Sequence, residues 1–230
     1  MKSCISKKII KKLLGGKETP VILEIGSHYG EDTKEFLNTF SKIKLYCFEP
    51  DPRNLQIIKK YLDTTKFVLY EKAISDKNET EVDFYMSYKE LDDYTKPLKK
   101  YNWISEKDFL GLKLNRSGAS SLKKGHEAVE NAKRVKIETM KLDTWFENEK
   151  VSHVDFIWMD VQGSEKNVIT GGKKTFKSTK FVFIEYGEIA YEGGLGRNET
   201  ISLMNELGFE VIKKYSDTTS KGNLLFEREL

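Results

Sequence analysis

With 230 residues, 38% hydrophobic and 12% aromatic, the chain can fill the core of one domain. A formal net charge of +3 compels no nucleic-acid partner, and two cysteines, Cys4 and Cys47, exclude a disulfide framework. No stretch approaches the roughly 18 consecutive apolar residues of a membrane span, and no apolar block with a small-residue cleavage site marks a signal peptide, so a cytoplasmic protein with Cys47 reduced in its core is expected.

The first 19 residues are basic and weakly amphipathic and predict a helix packed on the domain edge. From there elements alternate, the pattern of a largely parallel sheet. A strand over 21–25 precedes a helix over about 31–40. A second strand, 44–49, is stopped by Pro50 and Pro52, which open a helix to about Leu62. A third strand spans 67–70, and 81–86 alternates as a half-exposed strand. Residues 88–134 break the rhythm. They hold Tyr88, Tyr94, Tyr101, Trp103 and Phe109 among 11 Lys/Arg and 7 Asp/Glu, followed by a Ser-Gly-Ala-Ser-Ser run. Such an insertion is either a cover over a ligand crevice or a solvated excursion. Regular structure resumes with a strand over 135–140, a short helix from Leu142, a fourth sheet strand over 154–160, a helix over about 165–176 and a fifth strand over 180–185. A helix over 198–207 is closed by Gly208, and 209–215 with 223–229 form a terminal antiparallel hairpin. The expectation is a single α/β domain: a Rossmann-like, mostly parallel sheet with a C-terminal hairpin and an insertion before the fourth parallel strand.

Residues 21–30, Val-Ile-Leu-Glu-Ile-Gly-Ser-His-Tyr-Gly, are a buried strand breaking into a glycine turn. A dinucleotide fingerprint would carry three glycines around a pyrophosphate; here only Gly26 and Gly30 stand in the turn, preceded by Glu24. A carboxylate beside a pyrophosphate is repelled by about 1 kcal/mol even in water, whereas beside an ammonium group it is attracted. The turn, with Ser27 and His28 inside it, therefore favours S-adenosylmethionine (SAM), which has an amino group and no phosphate, over NAD. No phosphate-binding Gly-x-x-x-x-Gly-Lys-Ser/Thr loop is present. Glu49, followed by Pro50, lies 23 residues beyond Gly26, near the roughly 20-residue offset of an acid that accepts from ribose hydroxyls. Ala73 and Ile74 follow the third strand, where an adenine ring needs a small residue and an apolar wall. Asp160 ends the fourth strand. It could hold an amino group, orient an acceptor hydroxyl or join a metal site, and an N-cap role remains open for it or for Ser164.

Together these segments resemble the FkbM-type SAM-dependent methyltransferases, which read apolar-Asp/Glu-x-Gly-Ala-Asn-x-Gly, Phe-Glu-Pro, Leu-Asp and Ile-Asp-Val-Glu-Gly-Ala-Glu. Here the counterparts are residues 21–30, 46–52, Leu142-Asp143 and 155–165, with Phe181–Glu185 beyond them; Ser27-His28 stand for Ala-Asn and Gln162 for Glu. The resemblance runs from about residue 20 to the end. It implies the methyltransferase fold, SAM as co-substrate and O-methylation of a hydroxyl on a sugar, glycan or small metabolite.

A hydroxyl is a poor nucleophile, so a base or metal should help remove its proton. Asp160 is the first candidate by position, with Glu165 and Glu185 as neighbours. The sequence gives no metal-ligand spacing, and a divalent metal is not indicated. His28 sits in the cofactor turn, His126 could reach a substrate if the insertion folds over the site, and His153 reads as structural. Three rivals stand beside this reading: an RNA or cap ribose 2′-O-methyltransferase, whose Lys-Asp-Lys-Glu set cannot be assembled around Asp160; a SAM-fold binding module without turnover; and a nicotinamide oxidoreductase, disfavoured by Glu24 and the missing glycine. A Ser-His-Asp hydrolase lacks its Gly-x-Ser-x-Gly elbow.

Overall fold

The structure, a computed structural model, describes residues 5–88, 95–126, 131–216 and 218–229. Cys4 and Tyr94 lie outside them. The chain opens with α1 (Lys7–Leu13). β1 (Val21–Ile25) leads into α2 (Glu31–Thr39), and β2 (Lys44–Phe48) into α3 (Pro52–Tyr61), with Pro52 in the first turn and Asp51 capping Arg53 N–H at 3.0 Å. After β3 (Val68–Tyr70) the chain leaves the main sheet through β4 (Ala73–Ser75), β5 (Glu79–Ser87), α4 (Thr95–Lys100), α5 (Glu106–Gly111), a 3₁₀ segment (Leu114–Ala119) and β6 (Asn131–Lys141). It returns with α6 (Leu142–Glu149), β7 (Val154–Met159), α7 (Glu165–Gly171), α8 (Lys173–Lys177), β8 (Thr179–Gly187), α9 (Arg197–Asn205), β9 (Glu210–Lys214) and β10 (Lys221–Glu227).

The main sheet has seven strands in the order β3-β2-β1-β7-β8-β10-β9, all parallel except β10, which runs against both neighbours. This is the Rossmann-like methyltransferase sheet with its terminal hairpin. Strand order reverses between β1 and β7, and the crevice outside their carboxyl ends is where open α/β sheets bind ligands. Alternation along β1 feeds two cores. Leu23 and Ile25 join Trp145, Val168, Phe176 and Met204 on one face, while Ile22 joins Ile10, Phe36 and Ile58 on the other. Helices thus cover both faces, and the parallel strands read as continuous apolar runs for that reason.

Two local readings change. The strand predicted over 81–86 belongs to a second, three-stranded sheet, β4-β6-β5, which already begins at Ala73 and takes in β6 from Asn131. The departure from the main sheet is therefore longer than residues 88–134. The single helix expected over 165–176 is two, α7 and α8, meeting at Gly171-Gly172. A Cβ on Gly171 would stand 2.1 Å from the Ser75 carbonyl oxygen, so glycine there lets the helix end lie against β4.

The described residues between β5 and β6, 95–126, are fastened to the main sheet. Tyr29 of the glycine turn and Ile57 of α3 share an apolar cluster with Ile104, Phe109 and Leu114. Beside it, the Arg53 guanidinium donates to the Asp51 carboxylate at 2.6 and 3.0 Å, to the carbonyls of Ser87 and Lys113 at 3.1 Å, and to Ser120 Oγ at 3.1 Å. The Asp51 side chain is fully buried, and this clasp supplies its partner. Arg53→Ala is expected to destabilise the protein by about 3–5 kcal/mol, read as a lower urea midpoint. A loss below about 1 kcal/mol would mean that the segment is held without the clasp.

Candidate active site

The site begins where β1 and β7 end side by side. Gly26 has φ 91°. A Cβ there would lie 1.9 Å from the Asp160 carbonyl oxygen, so only glycine permits the contact. The turn is tied to β2 as well, because the N–H groups of Gly26 and Ser27 donate to the Phe48 carbonyl at 2.9 and 3.1 Å. Gly30, at φ 81°, opens α2.

Glu24 turns its carboxyl toward α2, accepting from Thr33 Oγ1 at 2.6 Å and from the Cys47 thiol at 3.3 Å. Burial, with the Asp32 charge nearby, pushes its pKa up to about 8. Below that pH Glu24 is a neutral acid beneath the turn, whereas the sequence reading sets it as a carboxylate beside an ammonium group. Lys7 of α1 faces it from the same layer, paired with Asp32 and lying 3.3 Å from the Trp158 ring centroid.

Glu49 stands just beyond β2. Its Oε2 accepts from the His28 backbone N–H at 2.7 Å; its Oε1 accepts from Asp51 N–H at 2.8 Å and Asn54 Nδ2 at 3.2 Å. Burial and the neighbouring Asp51 raise its pKa to about 7. Pro50 is half-buried beside it. Ala73 and Ile74 are buried in the second sheet, with Ile74 part of the main core.

On the other side of the crevice, Asp160 just follows β7 and Glu185 lies near the end of the adjacent β8. Gln162 bridges them, donating through Nε2 to Asp160 Oδ1 and, at 2.9 Å, to Glu185 Oε2. Glu185 is held well above the usual carboxylate range by burial, by the Asp160 charge and by its hydrogen bond to Asp160. The Tyr191 hydroxyl lies 2.9 Å from both Gln162 Oε1 and the Ala119 carbonyl, and Ser121 Oγ donates to the Gln162 carbonyl at 2.6 Å. Glu165 is only 1% exposed and accepts from Gly163 N–H at 3.1 Å, bracing the loop from inside. Its pKa is raised to about 7 by burial, against the opposing pull of backbone N–H groups. Ser164 caps no N–H through its side chain.

Among the predicted residues, then, Gly26 meets Asp160, His28 meets Glu49, and Asp160 meets Glu185. His126 is exposed, its N–H donating to the Ala190 carbonyl, and His153 lies between Lys17 and Ser152 near Asp155 at the far end of β7. Asp143 of the Leu-Asp element caps α8, accepting from Thr175 N–H at 2.8 Å. Sequence reasoning missed Arg53, Ser117, Ser120, Ser121 and Tyr191. The Ser-Gly-Ala-Ser-Ser run was the available signal for the serines. Among the described residues no group of three or more His, Cys, Asp or Glu could hold a metal ion.

Residues 24–211 match the methyltransferase FkbM domain. The chain belongs to that family. It is 34% identical over 205 residues to the 2-O-methyltransferase NoeI of Sinorhizobium fredii (strain NBRC 101917 / NGR234), covering 86% of this chain and 76% of that one. It is therefore a SAM-dependent O-methyltransferase. Solved structures that resemble it more distantly include an rRNA methylase from Streptococcus thermophilus (8% identity, TM-score 0.48, 100% and 99% of the two chains). Another is the N-terminal domain of EvdMO1 in the presence of SAH and D-fucose (8%, 0.48, 100% and 84%). Likenesses that remote add nothing to what strand order and family establish.

The residues present suit the co-substrate. The glycine turn has no third glycine to admit a pyrophosphate, and Glu49 is fixed by three donors yet has acceptor capacity left, a carboxylate offering about four lone-pair sites.

Because Glu24 has a higher pKa folded than unfolded, its contribution is complete below about pH 4.5 and is lost as pH rises through 8. Across that window the slope is about 1.4 kcal/mol per pH unit for one such group. Thermal melts from pH 5 to 9 are expected to fall, and to fall less steeply in Glu24→Gln; equal slopes would remove Glu24 as the source.

Proposed function

We propose that the acceptor is a hydroxyl of a sugar, a glycan or a related small metabolite, methylated at the carboxyl ends of β1, β2 and β7. The observation that carries this reading is the Gln162-bridged pair of Asp160, just beyond β7, and Glu185, near the end of β8, beside the switch point. SAM, when bound, supplies an electrophilic methyl group. In this reading Glu49 accepts from its ribose hydroxyls, the turn from Gly26 to Gly30 with Ser27 and His28 lies along its amino-acid tail, and Ala73 and Ile74 back the adenine side. Glu24 supports the turn from beneath.

Asp160 is the group assigned to the acceptor's proton, since it is half-exposed and Glu185 holds its own proton more tightly than an ordinary carboxyl. Glu185 donates to Asp160 and steadies it. Glu165, sealed beneath the loop, braces the pair without touching the acceptor. Residues 95–126 act as the cover in a single domain. In-line geometry does most of the work, an effect worth up to roughly 7–11 kcal/mol.

The activity for which the Sinorhizobium relative is named, 2-O-methylation, supports a hydroxyl acceptor. An RNA acceptor is disfavoured because Asp160 is bonded by Gln162 and neighboured by Glu185 instead of by the lysines of a Lys-Asp-Lys-Glu set. A cytoplasmic setting is part of the same proposal, supported by Cys47 being a buried free thiol and by the absence, among the described residues, of a helix long and apolar enough to cross a membrane.

Radiolabelled methyl transfer to a panel of glycans, polyols and RNA tests the acceptor; label on RNA alone, or on no member of the panel, would overturn the proposal. With an accepted glycan, Asp160→Asn is expected to lower kcat by about 10²- to 10⁴-fold while SAM affinity stays within about threefold. Glu49→Ala should do the reverse, weakening SAM in calorimetry. If its affinity were unchanged, Glu49 would lose the ribose role.

A further inference from the structure

His28 occupies the glycine turn in a left-handed conformation, φ 52°. Its ring does not point along the turn. Nδ1 lies 2.9 Å from Glu31 Oε1, and Nε2 lies 3.1 Å from Ser117 Oγ in the 3₁₀ segment of the cover. Gly118 of the same segment lies against the ring, where an added Cβ would be 3.1 Å from Nε2.

Hydrogen-bond directions along this chain are forced. The Leu114 carbonyl can only accept, so the Tyr29 hydroxyl donates to it. The Ser117 hydroxyl, 2.8 Å from the Tyr29 oxygen, must then donate to Tyr29. With its one proton used, Ser117 Oγ can only accept from His28 Nε2–H. At the other end the ionised Glu31 carboxylate also only accepts, so Nδ1 carries a proton too. Glu31 is itself anchored, taking the Tyr29 backbone N–H at 3.1 Å on its other oxygen.

We infer that His28 is an imidazolium cation in this arrangement and acts as a positioning residue that fastens the cover segment 114–119 to the glycine turn. The inference rests on the reading of that turn as the SAM site and of residues 95–126 as its cover.

The groups around the ring agree. Glu31 of α2 and Glu49 beyond β2 favour the cation, while burial, the largest influence, and Lys100 at the end of α4 oppose it; the carboxylates prevail and the His28 pKa is raised. Glu31 is lowered by the pairing despite its burial. Tyr29 and Tyr101, whose rings lie 3.5 and 6.1 Å from the imidazole, are both pushed further above their ordinary range and stay neutral. Loss of one proton from His28 breaks the chain at one end: either Glu31 faces a bare nitrogen, or Ser117 does. The same short segment leads into Ser120 and Ser121, which bond to Asp51 and to the Gln162 carbonyl. Unfastening it would therefore loosen both flanks of the crevice.

Hydrogen–deuterium exchange of the full chain, corrected for intrinsic rate, tests this at pH 6 and pH 9. In the unaltered protein, protection of residues 114–121 is expected to drop about 10- to 100-fold between the two, the scale of one charge-assisted hydrogen bond. His28→Asn keeps a residue type that tolerates the left-handed turn but cannot ionise, and its drop should shrink to about threefold or less. What remains in that variant belongs to Glu49 and the other buried acids. Ser117→Ala removes the acceptor of His28 and the donor to Tyr29 together and should lower protection at both pH values. A flat profile in the unaltered protein, an equal drop in His28→Asn, or undiminished protection in Ser117→Ala at pH 6 would each overturn the inference. Exchange requires no turnover, so these outcomes are independent of whether an acceptor is found.

Discussion

The close contact between Gly26 and the carbonyl of Asp160 is the constraint on which the site depends. Backbone meets backbone where β1 and β7 end, and any Cβ would force the two strand ends apart. Because they touch, the glycine turn after β1 and the acidic loop after β7 flank one crevice instead of opening into separate grooves. The turn's other tie, to the Phe48 carbonyl, brings the end of β2 and Glu49 to the same rim. Three strand ends are thus aligned by main-chain contacts, and side chains are left free for chemistry.

That alignment concentrates carboxyl groups. Glu24, Glu49, Glu165 and Glu185 are all raised by burial, to about 8, 7 and 7 for the first three. Burying four ionised acids would be ruinous, and the protein manages them in different ways. Glu24 sits neutral among Thr33, Cys47 and the distant Lys7 charge. Glu49 is compensated by three donors, Glu185 shares a hydrogen bond with Asp160 under a Gln162 bridge, and Glu165 takes backbone N–H groups. A site rich in such acids is well matched to a co-substrate bearing a sulfonium and an amino group, and poorly matched to phosphate.

The alternating elements, the terminal hairpin and the glycine turn were legible in the sequence because they follow from periodicity and from turn residues, which are local signals. So were Glu49 and Asp160, since acids at strand ends and their spacing can be read directly. The second sheet was not, because β4 is three residues long and pairs with β6 across some sixty positions, a contact no local pattern announces. Arg53 was unreadable for a similar reason. In a helix written Pro-Arg-Asn-Leu it looks like any solvated charge, and its clasp exists only once Ser87, Lys113 and Ser120 return to it. Glu24 was read as a charge facing ligand; its place on the α2 side of β1 follows from strand alternation with Ile22, a cue outweighed by the motif. The serine run was visible as sequence, but its three anchors lie on three different elements.

His28 and Gln162 join these observations. Both are non-glycine residues in the left-handed region, at φ 52° and 53°, a conformation costing about 1–2 kcal/mol for an ordinary side chain. They flank the crevice from opposite sides, and they are also among the positions at which the two motifs depart from the FkbM pattern, standing where Asn and Glu are usual. Asparagine and histidine are among the residues that tolerate that conformation best, and in this chain both His28 and Gln162 are held there by their bonds. His28 is fixed by Glu49 at its backbone and by Glu31 and Ser117 at its ring; Gln162 is fixed by Asp160, Glu185, Tyr191 and Ser121. Each set of bonds includes a serine from residues 117–121. The two departures are therefore not independent substitutions at the cofactor and acceptor ends. One cover segment binds both, and its serine-rich sequence supplies small donors that can reach either side without filling the crevice between them.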